Sequence, residues 1–347
     1  MRWDEQKIDL EEEERKVLPG YKDAAAVRTF DAPEALDTRF YEVRAKSVLN
    51  RVPERSRMPF RWTINPYRGC SHACIFCFAR PTHTYLGLNA GRDFEKEIVV
   101  KVNAPEVLRR ELRKPAWARE HVALGTNTDP YQWVEGRYKL MPGIWEALAE
   151  SGTPASILTK SPLLLRDIEL MKQVPGIRAN LSVPTLDEKA WRSTEPHTPH
   201  PRKRLEAVAE LNRAGIPCGI LIAPLMPGIN DSPAQVAQII ELAEEAGAVD
   251  IGGIALHLRG EVKALFFDWL REHRPDLLPR YQRLYARGAY APKEERERLS
   301  RMARGSSRRP AWPMRGSAGS AVEARDPASA VDRGSSQPEP SPQESLF

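Results

Sequence analysis

Between residues 98 and 257, short apolar runs alternate with stretches whose apolar positions recur every three or four residues. The short runs read as buried strands at 98–102, 121–125, 155–161, 178–183, 217–225 and 250–257, after a shorter one at 61–65 that Pro66 ends. The helical spacing predicts helices over 105–113, 142–150, 163–174, 201–214 and 233–246. Several open on a proline, and Gly215 stops the fourth. Such alternation implies parallel βα units joined by right-handed crossovers. The 61–65 strand and the five from residue 121 onward make six, which fits an α/β fold built as an open, partial (βα)6 barrel; the 98–102 run is an extra piece. No G-x-G-x-x-G, P-loop or G-x-S-x-G occurs, so a dinucleotide-binding reading has no phosphate fingerprint.

Outside that frame the pattern weakens. Residues 1–60 read as an N-terminal extension, with an acidic run Glu11 to Glu14 as an exposed helix turn and Phe40, Val43, Val48 and Leu49 packing a short helix on the body. The core is expected over 61–270 and C-terminal helices over 271–302, where Leu277, Leu278, Tyr281, Leu284 and Tyr285 join Trp269 in closing one side of the barrel. From residue 303 the chain turns to Ser, Gly, Pro, Ala and Arg; too little apolar surface can be buried there to offset chain entropy, and a disordered tail is expected.

Composition sets bounds. Hydrophobic residues make up 41% of 347, enough for one large core. No apolar run follows Met1, so neither a signal peptide nor a membrane span is expected, and unpaired thiols suit the cytoplasm. The net charge of +5 is a mild excess. Arg39, Arg44, Lys46, Arg51, Arg55, Arg57 and Arg61 stand against Glu42 and Glu54 just ahead of the cysteines. A basic approach of this kind suits a phosphate-bearing substrate such as nucleic acid, although a solvated surface fits equally and no aromatic stacking pattern is interleaved.

Three of four cysteines, Cys70, Cys74 and Cys77, are spaced C-x3-C-x2-C within the segment NPYRGCSHACIFCFAR, residues 65–80. Thiolates suit iron–sulfur clusters or zinc. A four-iron cube normally takes four thiolates, so three leave one iron open to a substrate or cofactor. Zinc would need a fourth ligand from His72, His83 or the distant Cys218. A disulfide framework is poorly served by three cysteines within eight positions.

With Phe76 directly before the third cysteine, this segment resembles the signature of radical S-adenosylmethionine (SAM) enzymes, and its flanks resemble the branch around spore photoproduct lyase. The resemblance covers roughly residues 60–270. It implies a [4Fe–4S] cluster on Cys70, Cys74 and Cys77, whose open iron chelates the amino and carboxylate groups of SAM. Reductive cleavage would then give methionine and a 5′-deoxyadenosyl radical that abstracts hydrogen from substrate. An external one-electron reductant of flavodoxin or ferredoxin type is implied, and no protein nucleophile is needed.

Functional groups of such barrels gather at the carboxyl ends of the strands. Where the family often carries Gly-Gly-Glu to support the SAM amino group, this chain has Gly125, Thr126 and Asn127, which leaves backbone carbonyls, Asn127 or Asp129 for that task. Lys160 would pair with the SAM carboxylate, Ser182 would contact its methionyl or ribose part, and backbone near Phe76 would read adenine. Glu195 and Arg204 lie in a His-rich block that either borders the site or forms a surface lid. Spore photoproduct lyase is thought to use a cysteine hydrogen donor; here only Cys218 remains, early in the fifth strand at the opposite end, so the same repair reaction is not implied. Two other classes stand beside the enzyme: an iron–sulfur or zinc module that binds nucleic acid, and an electron-transfer protein. Both call for a saturated metal site.

Overall fold

The structure is a computed structural model that describes residues 18–21, 25–54, 56 and 58–304. The acidic run Glu11 to Glu14, Arg55, Arg57 and the expected disordered tail beyond residue 304 lie outside the described residues.

Eleven strands among the described residues form two sheets. The larger contains β4 (Trp62–Ile64), β7 (Val122–Leu124), β8 (Ala155–Thr159), β9 (Arg178–Ser182), β10 (Cys218–Leu225) and β11 (Ile251–Ala255), all parallel and neighbours in chain order. A seventh strand, β3 (Leu49–Arg51), pairs antiparallel with β4 at the edge. The six parallel strands are the six the alternation predicts. The sheet order runs from β11 to β3, and these two edges are not paired with each other, the arrangement of an open barrel. Its helices include Leu140–Ser151, Pro201–Arg213 and Pro233–Glu245. Gly152, with φ of 63°, ends the first by turning its N–H back to Ala149 O, a conformation glycine adopts without a Cβ penalty.

The second sheet is where the expectations fail. β1 (Ala26–Arg28), β2 (Arg39–Val43), β6 (Glu97–Lys101) and β5 (Tyr67–Arg68) make a four-stranded sheet. Phe40 and Val43 therefore lie in a strand, Leu49 in β3, and none in a helix. The extra 98–102 run is the partner of β2, in parallel register from Arg39 opposite Glu97 to Val43 opposite Lys101. Both faces of β2 are covered: Phe40 packs into the main core, while Tyr41 packs with Val27, Leu86, Leu88 and Val99. With both faces apolar, the period-two alternation that marks a strand disappears. The predicted 163–174 helix is also shorter, a 3-10 turn Pro162–Asp167 and a single α-turn Ile168–Met171. Asp167 is held by Tyr131 and Arg166, which fixes the chain before an α-helix can extend.

The C-terminal helices Val262–His273 and Leu278–Leu284 close over the cysteine loop, while Lys293–Met302 packs against β11 and adds Leu299 to the main core. Phe266, Trp269, Tyr281 and Tyr285 form a core with Cys74, Phe76, Met226, Leu256 and Leu258. No described helix is long and apolar enough to cross a membrane.

Candidate active site

The loop after β4 carries the cysteines to the carboxyl end of the parallel strands. Its entry needs glycine: Gly69 has φ of +82°, and a Cβ there would meet Phe94 O at 2.9 Å. Cys70 N–H donates to that same carbonyl at 2.9 Å, and Cys77 N–H donates to Cys74 O at 3.2 Å. The loop is clamped by Arg80, almost fully buried, whose guanidinium donates to Ala73 O (3.0 Å), Cys74 O (2.9 Å), Ala90 O (3.1 Å) and Gly91 O (3.0 Å), ion-pairs with Glu95 and lies 5.3 Å from the Phe94 ring centroid. Gln132 adds a second clamp by accepting from Ser71 N–H at 2.9 Å and donating to Gly69 O at 3.1 Å.

Cys70, Cys74 and Cys77 are unbridged. Burial and the nearby Glu195 carboxylate push the Cys74 thiol well up, and burial with the neighbouring Cys70 pushes Cys77 up to about 11. These thiols stay protonated until a metal displaces the protons. The possible fourth zinc ligands are otherwise engaged. His72 Nδ1 lies 3.4 Å from Asp129, and His83 Nε2 lies 2.8 Å from Glu97 O. Cys218 is fully buried at the start of β10, at the amino end of the sheet, with Asn212 bonded to its N–H and carbonyl. Among the described residues no three His, Cys, Asp or Glu side chains are gathered as closely as one metal ion requires. The donor set fits a cluster, which gives each thiolate its own iron and so spreads the sulfurs wider than a single ion does.

Across the mouth, β8 and β9 deliver the polar groups. Lys160 Nζ donates to Ser182 Oγ at 2.7 Å, ion-pairs with Glu195 at 2.9 Å and lies 5.8 Å from the Phe76 ring centroid. Glu195 and Arg204, both fully buried, pair at 2.8 Å. Arg204 also donates to Ser182 O, Pro199 O and Thr198 Oγ1, which pins the His-rich block against the end of β9. Burial opposes ionisation of Glu195, but Arg204 and Lys160 outweigh it and lower its pKa. With Arg204 neutralising Glu195, the ammonium of Lys160 is the surplus charge of the trio, available to an incoming carboxylate. Ile75 N–H donates to Thr194 O at 3.1 Å, joining this block directly to the cysteine loop.

Phe76, Lys160 and Ser182, three of the five residues expected to hold SAM, therefore come together. The other two lie on the loop after β7, where Asp129 meets the Lys160 backbone. Asn127 sits half-buried in the loop after β7. Asp129 is taken up structurally, accepting from Thr159 Oγ1 at 2.6 Å, Lys160 N–H at 2.7 Å and Tyr131 N–H at 2.9 Å while facing His72. The loop itself suits a ligand: Gly125 has φ of +74°, a Cβ there would lie 1.8 Å from Leu158 O, and Thr126 Oγ1 and Ser71 Oγ are buried without a hydrogen-bond partner. Buried, unpartnered oxygens call for a polar partner. Arg80 and Gln132 were not singled out from the sequence; nothing local marks a residue whose partners are main-chain carbonyls elsewhere in the loop.

Comparison with known proteins agrees with this geometry. The Radical SAM superfamily matches residues 64–250. A protein of Mycobacterium tuberculosis described only as uncharacterised is 48% identical over 286 residues, covering 81% of this chain and 84% of that protein. A radical SAM Nα-GlyT isomerase of Pseudomonas phage M6 is 28% identical and covers 64% of this chain and 45% of that one. Among solved structures, spore photoproduct lyase complexed with a dinucleoside spore photoproduct aligns with a TM-score of 0.56 at 15% identity, over 76% of this chain and 77% of that chain, which shows a shared fold. The chain belongs to the radical SAM superfamily. Membership supports SAM-dependent radical chemistry and implies SAM and an iron–sulfur cluster as its cofactors.

Proposed function

We propose that the protein is a radical SAM enzyme with a [4Fe–4S] cluster on Cys70, Cys74 and Cys77 and SAM held between that loop and the ends of β8 and β9. The observation that carries this reading is the Lys160–Ser182–Glu195–Arg204 network standing against Phe76 and the cysteine loop. When bound and given one electron by an external reductant of flavodoxin or ferredoxin type, cluster and SAM supply reductive cleavage to methionine and a 5′-deoxyadenosyl radical that takes a hydrogen atom from substrate. The chain's own contribution is binding, orientation and exclusion of water. Lys160 receives the SAM carboxylate as a charge-assisted partner, with Ser182 fixing its ammonium. Thr126, Asn127 and the carbonyls around Gly125 receive the amino group. Phe76 and the core made with Met226, Leu256 and Leu258 keep the reacting region apolar.

Nucleic acid remains the substrate class proposed, but its basic contacts move. Register places Arg51 opposite Trp62, at the amino end of β4, and Arg61 precedes that strand, away from the cysteine loop. Arg39 and Arg51 lie near Glu97 and Glu54. The test is anaerobic: reconstitute with iron and sulfide, reduce with dithionite, add SAM and record 5′-deoxyadenosine together with the EPR spectrum. A SAM-shifted [4Fe–4S]+ signal with 5′-deoxyadenosine supports the reading. A cluster indifferent to SAM, or a zinc-only protein, refutes it in favour of a binding or electron-transfer module.

A further inference from the structure

Four side chains far apart in sequence build one ladder beside the cysteine loop. Phe78, the residue after Cys77, faces His257 with ring centroids 5.8 Å apart. His257 stacks on Tyr290 at 5.7 Å and 21°, and their backbones form an antiparallel bridge. Arg296 lies 5.9 Å from the Tyr290 ring centroid. Phe78 lies just past the cysteines of the loop that follows β4 and His257 follows β11, so the contact ties the cysteine loop to the strand at one open edge of the sheet. Phe78 is 48% exposed and Tyr290 54%. Single exposed apolar side chains are ordinary, but exposed rings joined in one ladder beside the cysteine loop mark a binding surface. Two guanidinium groups stand at it: Arg259 is exposed and near enough to His257 to act on it, and Arg296 lies at the far end. Burial and Arg259 both lower the pKa of His257, so its ring is neutral near pH 7 and stacks as an uncharged plane.

We infer that the Phe78–His257–Tyr290 ladder is a substrate platform on which a nucleobase stacks while Arg259 and Arg296 take the phosphate beside it. Planar rings with flanking guanidinium groups match the two halves of a nucleotide, the π-face and the anion, and the combination discriminates weakly among bases. Placement next to Cys77 puts the stacked nucleotide at the mouth where the reaction proposed above would occur, and the inference rests on that proposal for its chemistry. The ladder sets stacked rings beside guanidinium groups from distant parts of the chain; only the fold assembles it.

The experiment is equilibrium binding by fluorescence anisotropy, under anaerobic conditions, of the cluster-loaded full chain to a fluorescein-labelled ten-residue oligothymidylate. An abasic oligomer of equal length and charge is the control. The base-bearing oligomer is expected to bind about tenfold more tightly than the abasic one. Tyr290→Ala, at an exposed position that reaches the cysteine loop only through His257 and Phe78, is expected to remove most of that discrimination, and Tyr290→Phe to retain it. Arg296→Ala and Arg259→Ala are expected to weaken both oligomers alike and to flatten the salt dependence. Competition by free thymidine monophosphate separates the two sources of the nucleotide: equal potency per nucleotide identifies a free nucleotide, and much weaker competition a strand. Equal binding of base-bearing and abasic oligomers, or discrimination unaffected by Tyr290→Ala, overturns the platform. SAM cleavage measured on the same preparation keeps the two readings apart. Cleavage without base discrimination refutes the platform alone; discrimination without 5′-deoxyadenosine refutes the radical enzyme alone.

Discussion

Replacing Arg80 tests whether the cysteine loop is prefolded by its own protein rather than shaped by the cluster. The guanidinium reaches four main-chain carbonyls and Glu95 from a nearly solvent-free position. Arg80→Ala removes the guanidinium donor from the buried carbonyls of Ala73 and Ala90, while Cys74 O keeps the Cys77 N–H. A buried polar group stranded in this way costs about 1–3 kcal/mol, so these two, with the weakened Cys74 carbonyl, give roughly 3–5 kcal/mol after partial relaxation. Glu95 is partly exposed and can be rehydrated, so it adds little. For a domain of this size each kcal/mol moves Tm by roughly 2–4 °C, which places the loss at about 6–20 °C. The assay is a thermal melt of the metal-free protein, paired with iron and sulfide content after reconstitution. Arg80→Lys is expected to recover only part of both readouts, because one compact ammonium cannot span carbonyls that a planar fork can. An Arg80→Ala protein that melts with the wild type and takes up full iron and sulfide would refute the argument, and would mean that the cluster organises the loop.

Further outcomes follow from other parts of the site. Cys70→Ala, Cys74→Ala and Cys77→Ala should each abolish the iron–sulfur absorption, while Cys218→Ala, at the opposite end of the barrel, should leave it intact; loss of the cluster in the last variant would overturn the three-ligand assignment. Lys160→Met should weaken SAM binding measured by calorimetry by about tenfold or more, the range expected for one charge-assisted hydrogen bond, with iron content unchanged because Glu195 keeps Arg204 as a partner. Unchanged affinity would remove Lys160 from the SAM site. Burial opposes the Asp129 carboxylate, but His72, Thr159 and the Lys160 N–H more than offset it and hold its pKa down to about 2. Its folded-state pKa lies below the unfolded value of about 3.9, so its contribution to stability is present above that value and is lost as pH falls towards 2. Urea titrations of the metal-free protein at pH 4 and pH 2.5 should therefore show a stability loss that shrinks in Asp129→Asn. An identical loss in both proteins would show that the His72–Asp129 contact is energetically idle.

How much of this was readable in the sequence depended on how local the physics was. The six parallel strands announce themselves because each is a short apolar run between helices whose prolines and glycines punctuate it. The cysteine loop is legible because three soft ligands must lie within eight residues of one another. Lys160 and Ser182 could be placed because a strand end fixes where a side chain emerges, and their 2.7 Å contact shows that β8 and β9 emerge at one level. Asp129 shows the limit of that reasoning. Its position at a strand end was right, yet three donors from the β8 end and its own loop had already claimed it, and no sequence pattern records a saturated acceptor. β2 failed for a different reason, since Phe40 and Tyr41 are buried on opposite faces and the alternation that names a strand is lost.

The least legible part is also the part that bears on substrate. Phe78, His257, Tyr290 and Arg296 belong to the cysteine loop, the end of the last barrel strand and the C-terminal helical region. Each taken singly is an ordinary aromatic or charged residue. They acquire a shared meaning only because the residues after β11 return to meet the cysteine loop. In this fold the strand ends and the cysteine loop bring together the groups that would hold SAM, and they follow from local pattern. On the proposed reading, choice of substrate falls to the elements that close over the cysteine loop, which are set by long-range packing of Phe266, Trp269, Tyr281 and Tyr285 against Cys74 and Phe76. A chain with the same cysteine loop but a different closing segment would keep the SAM chemistry and lose the ladder. Grafting Ala at Phe78 and Tyr290 together should accordingly leave iron content and SAM affinity near wild type while oligonucleotide binding falls. Parallel loss of SAM affinity would show that cofactor and substrate recognition are not divided in this way.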